Sequence, residues 1–240
     1  MRSGSRERIR MENRGRTMVQ FGFYKFDAAW RRLPEEVREK DKAEFACAIE
    51  DAADSAMVKC YSTVGIRGDV DLLLWSASPD LDIIRQNGAR LLNTGMGRWA
   101  TQPYCYLAMT KQSDYTDPHE KNAPEGRRLI LRPTGRKYLF VYPFVKTREW
   151  YLLPLEERQK VMHGHIDVGH KFPSIKLNTT YSFGIDDQEF VVAFETDIPA
   201  DFLDLVKALR ETVSSKYTLR DTPIFTCVQL PLKEALDAIG

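Results

Sequence analysis

The sequence predicts an α+β fold built from two ferredoxin-like halves with antiparallel sheets, and three observations lead there. Aromatic and β-branched runs that read as strands alternate with longer stretches of helical periodicity, in the order strand, helix, strand, strand, helix. That order returns after a stretch rich in Pro, Gly, Asp and Asn. Gly65-Ile66 lies ten residues before Trp75, and Gly184-Ile185 lies ten residues before Phe194, each pair ahead of a helix opened by Pro and Asp. The halves therefore share a pattern more than residues. A strand-helix-strand-strand-helix-strand unit used twice gives sheets able to pack face to face.

Taken in order, residues 1–18 read as a flexible basic arm, too polar for a secretory signal, with Met11 and Met18 as alternative starts. The first half spans 19–110. VQFGFYKF (19–26) is its opening strand, and Phe45, Ile49 and Ala52 recur at helical spacing within a helix over 28–56. MVKCYSTVGI and VDLLLW follow as strands. Ser78-Pro79 with Asp80 and Asp82 then opens a helix, because those groups meet unpaired backbone amides. Residues 111–136 form a linker longer than a simple connection needs, and loops of that size are often functional. The second half, 137–240, repeats the order: strand YLFVYPFV, helix LPLEERQKVMHGH, strands NTTYSFGI and EFVVAF, and a helix from Pro199 to Ser214. Pro154 suits the first turn of its first helix, Glu156 and Glu157 complement the positive end, and Gly169 is expected to terminate it.

Composition narrows the function. A net charge of +1 gives no reason to expect nucleic-acid or membrane-surface binding. Cys47, Cys60, Cys105 and Cys227 form no CxxC pair, which argues for buried free thiols in a reducing cytoplasm rather than a zinc knuckle or disulfide scaffold. No apolar run is long enough to span a membrane.

The stretch VMHGHIDVGH (161–170) holds three of the four histidines. Successive helical residues are about 100° apart, so His163 and His165 point about 200° apart and cannot share one ion. Val161, His165 and Val168 share an inward face. His163 sits with Glu156 and Lys160 on a solvated side, and His170 complements the carbonyls at the helix end. A single inward histidine suits haem better than zinc, with a hydrogen-bonded core histidine as the plain alternative.

The run YPFVKTREWYLLPLEERQKVMHGH, followed by NTTYSFGIDDQEFVVAFET and the late LVKALRE, resembles the chlorite dismutase superfamily, within it the coproheme decarboxylases of haem synthesis. The resemblance covers residues 19–236. It implies a dimeric α+β barrel, porphyrin in the second half, and a cytoplasmic homopentamer. The implied reaction is peroxide-dependent conversion of iron-coproporphyrin III to haem b through an iron-oxo species and a tyrosyl radical. Chlorite dismutation or weak haem peroxidation is the second reading, and a non-catalytic haem carrier or sensor the third.

Residue by residue, the resemblance makes His165 the axial iron ligand and Tyr142 the oxidisable phenol beside a reacting propionate. Lys146 pairs with a propionate, and Pro143, Phe144 and Val145 complete that substrate-binding run. Arg128, with Arg132 as its alternative, and Ser215 are further porphyrin donors, and Trp150 packs near the pocket. The position over the open face of the porphyrin, arginine in chlorite dismutases, falls on Leu177 by strand register or on Asn178 by counting from His165. A linker histidine of some relatives falls on Glu125, with His119 nearby. A glutamate that supports the iron ligand in several relatives falls near Val213, where the nearest acid is Glu211.

Overall fold

The computed structural model describes residues 15–115, 131 and 133–240. Most of the expected basic arm, and Arg128, Arg132, Glu125 and His119 of the expected linker, lie outside the described residues. In chain order the strands and helices are β1 (Met18–Phe26), α1 (Glu35–Ala53), β2 (Met57–Ser62), β3 (Leu72–Ser78), α2 (Leu81–Leu92), β4 (Ala100–Met109), β5 (Tyr138–Lys146), α3 (Arg148–Leu152), α4 (Leu155–His170), β6 (Lys176–Tyr181), β7 (Phe190–Thr196), α5 (Pro199–Arg210), β8 (Thr218–Arg220), β9 (Phe225–Gln229) and α6 (Leu232–Asp237). They divide into two compact units, one running to Met109 and including Thr226–Gly240, the other Thr110–Phe225. None of the described helices is long and apolar enough to cross a membrane.

In the first unit the antiparallel order is β4-β1-β3-β2, the ferredoxin-like order, with β9 added beside β2 through Tyr61 and Ser62. Tyr24, Phe26, Leu72 and Leu74 pack on Phe45, Ala48 and Ile49 of α1 and on Leu91 of α2. Trp30 is fully buried there and donates from its indole to Asp41 at 3.0 Å. Ala235, Leu236 and Ile239 complete the same core. The expected second half of 137–240 is thus shorter at its end, because the apolar face of α6 finds its partners around Trp30, a long-range match that local periodicity does not carry.

Several boundaries differ from expectation for local reasons. Helix α1 begins at Glu35 rather than at 28, because Trp30–Arg32 closes a 3-10 turn and Leu33, preceding Pro34, is extended at ψ 154°. At α2 the N-cap is Asp80, whose carboxylate accepts from the Asp82 amide at 2.8 Å, while Ser78 accepts from the Asp80 amide one step earlier. Helix α4 runs through Gly169 to His170, so Gly169 does not end it. The closing strand of each half, which periodicity left unlocated, is β4 and β8; β4 is half-exposed and contains Pro103.

The second unit repeats the order as β6-β7-β5-β8. Phe140 stacks on Phe202 of α5 with ring centres 4.0 Å apart, and Tyr142, Phe194 and Leu205 extend this cluster. Glu195 is fully buried and accepts from the Thr134 and Gly135 amides and from Asn178 at 2.9–3.0 Å, pinning the chain as it enters β5. The repeated Gly-Ile pairs prove to be one turn used twice. Ile66 and Arg67 donate to the Thr63 carbonyl as Ile185 and Asp186 donate to that of Ser182. Gly65 and Gly184 adopt φ of +76° and +68°, which disfavours any residue with a Cβ. This turn ends β2 at Ser62, short of the expected Ile66. The long helices α1 and α4, which hold corresponding places, differ sharply: α1 fully buries Phe45, Ala48, Ile49 and Ala52 among others, whereas no residue of α4 is more than partly buried.

Candidate functional site

Strand alternation creates the site. Tyr138, Phe140, Tyr142 and Phe144 fall on one face of β5 and pack in the cluster with Val168, Phe172 and residues of α5. Pro143 and Val145 occupy the odd positions and turn to the face of β5 opposite Tyr142. Tyr142 is 8% exposed and stacks on Phe194, ring centres 5.9 Å apart and planes within 16°. Burial, reinforced by Asp221, raises its pKa well above the usual phenol value, so it stays protonated.

Lys146, four residues after Tyr142, falls on the same face of β5 by strand alternation; the register irregularity beside it adds its extra residue, Leu219, to β8. Its ammonium lies 4.4 Å over the Trp150 ring and 3.2 Å from the Ser214 carbonyl. Burial pushes its pKa down to about 8, partly offset by Glu189, whose carboxylate also accepts from the Lys146 amide at 2.8 Å. Trp150 is 1% exposed and wedged between Lys146 and Tyr217. It is a wall of the site.

His165 comes from α4, on the face that also presents Val168 to the aromatic cluster. Its Nδ1 lies 3.0 Å from the hydroxyl of Ser214, which in turn lies 2.9 Å from that of Thr212. Burial, with the Lys146 charge adding to it, pushes the imidazole pKa down to about 4, so the ring is neutral at physiological pH. His163 and His170 lie off this face. Among the described residues no carboxylate is hydrogen-bonded to the ring: Glu211 is exposed and Val213 is 64% exposed.

The strand register separates Leu177 from Asn178. Leu177 pairs with Phe194 and shares its face toward Tyr142, whereas Asn178 pairs with Ala193 on the opposite face and donates to Glu195 at 3.0 Å. Ser215, expected as a donor, directs its hydroxyl to the carbonyls of Arg210 and Thr212, both at 2.8 Å, closing the end of α5. The hydroxyl that enters the site belongs to its neighbour Ser214, which sequence reasoning missed. Two adjacent serines after a helix carry no spacing signal that selects one.

These residues form a particular donor set. Among the described residues no group of three or more His, Cys, Asp or Glu converges on one point. One neutral imidazole facing an aromatic wall, with a buried cation at the edge, suits a metal that arrives with its other ligands in a flat, acidic ring.

The chlorite dismutase family profile matches residues 38–230. The chain belongs to the chlorite dismutase family. Its sequence is 28% identical over 167 residues to a coproheme decarboxylase of Mycolicibacterium smegmatis, covering 69% of this chain and 70% of that one. It is 30% identical over 210 residues to a Haloquadratum walsbyi protein named as a candidate heme-binding protein, covering 79% of this chain but 39% of that one. Among solved structures, chlorite dismutase from Candidatus Nitrospira defluvii in complex with imidazole superposes with a TM-score of 0.83 at 25% identity, over 98% of this chain and 99% of that chain. The α+β architecture with antiparallel sheets is therefore the chlorite dismutase fold.

Proposed function

We propose that this chlorite dismutase-family chain decarboxylates iron-coproporphyrin III with hydrogen peroxide, turning two propionates into vinyl groups and yielding haem b. Each conversion consumes one peroxide and a proton and releases one carbon dioxide and two waters. The observation that carries the reading is that Ser214 contacts both His165 and Lys146, while Tyr142 stands on the Lys146 face of β5. A ligand for iron, a cation for a carboxylate and an oxidisable phenol thus converge. The bound iron porphyrin, as substrate, supplies the redox centre that peroxide oxidises.

The chain's own residues do the rest. His165 holds the iron through the nitrogen not engaged by Ser214. Lys146 binds and orients a propionate by a charge-assisted hydrogen bond, strengthened by its partly dry surroundings. Tyr142, protonated and stacked on Phe194, presents a phenol that can yield an electron and its proton beside that propionate. Leu177 leaves no fixed positive charge for chlorite, which disfavours dismutation. The 28% identity to a coproheme decarboxylase supports the same choice.

The test mixes apoprotein with iron-coproporphyrin and peroxide and follows product masses. Successive loss of two carbon dioxide units is expected. Tyr142→Phe is expected to bind the porphyrin and lose decarboxylation, and an unchanged rate in that variant refutes the phenol's role. Oxygen release from chlorite with intact porphyrin identifies a dismutase instead, and binding without turnover identifies a carrier.

A further inference from the structure

Counting protons along one chain of contacts gives Ser214 a specific task. The Thr212 hydroxyl has a single proton and lies 2.7 Å from the Leu209 carbonyl, which can only accept. Thr212 therefore accepts in its 2.9 Å contact with Ser214, and the Ser214 proton is directed there. With its proton so placed, Ser214 accepts in its 3.0 Å contact with His165, and Nδ1 must carry the hydrogen. A neutral imidazole has only one N–H, so the lone pair is at Nε2. Ser214 is 3% exposed, which keeps water from competing for these contacts.

We propose that Ser214 is the positioning residue for His165: the relay from the Leu209 carbonyl through Thr212 and Ser214 locks the ring in the tautomer whose Nε2 can ligate iron, and the Ser214 carbonyl couples that ring to Lys146. The iron-binding part rests on the porphyrin function proposed above; the tautomer part does not. A hydroxyl partner differs in kind from a carboxylate. It accepts a hydrogen bond but does not draw the proton from Nδ1, so the ligand stays a neutral imidazole and a moderate donor to iron. The 3.2 Å bond from Lys146 to the same residue means that a carboxylate captured by the ammonium pulls on the ligand's own support.

The first experiment uses the full-length apoprotein. A long-range proton–nitrogen correlation spectrum reads the His165 tautomer with no porphyrin present. Wild type and Ser214→Thr are expected to show Nδ1–H. Ser214→Ala is expected to admit the Nε2–H form, and Thr212→Val, which breaks the relay one link away, to do so partially. An Nε2–H ring in wild type overturns the proposal, as does an unchanged tautomer in both Ser214→Ala and Thr212→Val. The second experiment loads each protein with haemin. Ser214→Ala is expected to lower the ferrous iron–imidazole stretching frequency and raise the midpoint potential, and Ser214→Glu to shift both the opposite way. Equal values across the three proteins overturn the coupling to iron. If haemin-loaded wild type shows no imidazole ligation while the tautomer results hold, the porphyrin function fails and the ring-positioning role of Ser214 stands.

Discussion

Replacing Lys146 by methionine is expected to stabilise the protein while weakening its site. Burial lowers the Lys146 pKa from 10.5 to about 8, so the fold disfavours the ammonium. Each tenfold change in proton affinity is worth about 1.4 kcal/mol, which makes the charge cost about 3 kcal/mol at neutral pH. The sign follows from linkage: a lysine whose folded pKa lies below its unfolded value exacts this cost fully below pH 8, and the cost fades as pH rises toward 10.5. Methionine keeps an apolar stem against Trp150 but loses the bond to the Ser214 carbonyl and the ring contact, together about 1 kcal/mol. The net gain is about 2 kcal/mol at pH 7, and it shrinks by about 2 kcal/mol near pH 9.5 as the wild-type lysine loses its proton. Urea unfolding of both proteins at the two pH values reads this directly. A difference that does not change with pH refutes the buried-cation argument. In parallel, coproporphyrin affinity is expected to drop about tenfold in the variant and to decline in wild type as pH rises past 8.

Leu177→Arg places a cation on the Phe194 face at a position already 43% exposed, so stability should change by about 0.5 kcal/mol or less. Oxygen release from chlorite by the haemin-loaded variant is expected to rise about tenfold, equivalent to about 1.4 kcal/mol of anion stabilisation, and no rise removes Leu177 from the open face. Glu195→Leu strands the Thr134 and Gly135 amides and the Asn178 amide group, at a cost of about 3 kcal/mol in chemical unfolding; a loss under about 1 kcal/mol shows that water replaces the carboxylate. Asp80→Ala removes the α2 cap and is expected to cost about 1 kcal/mol without touching porphyrin binding.

The parts of the fold legible in the sequence were those governed by local chemistry. The aromatic run of β1, the Pro-Asp start of α2 and the Gly-Ile turns announce themselves, because cap, propensity and positive φ are set within a few residues. The side of α4 that His165 shares with Val168 followed from helical spacing. What stayed hidden depended on neighbours distant in sequence. Strand periodicity puts Lys146 on the face of Tyr142, but its bond to the Ser214 carbonyl joins residues 68 apart and no periodicity encodes it. Ser214 supports His165 only because the turn after α5 ends where α4 passes, and Ser215, one residue on, faces the carbonyls instead. Helix α6 joins the first unit through Leu236 and Ile239, residues as apolar as any elsewhere in the second half.

The contrast between α1 and α4 bears on how the second unit breathes. With no fully buried side chain of its own, α4 is held by half-buried contacts such as Val168 against the aromatic cluster and His165 against Ser214, and by whatever its inner face grips. Occupancy and local folding then become one equilibrium: a tight ligand at a thousand times its dissociation constant adds about 4 kcal/mol to the seating of residues 155–170. Amide exchange should slow there on loading and barely alter in 35–53, and the same looseness gives a bulky, rigid product a way out when its grip weakens.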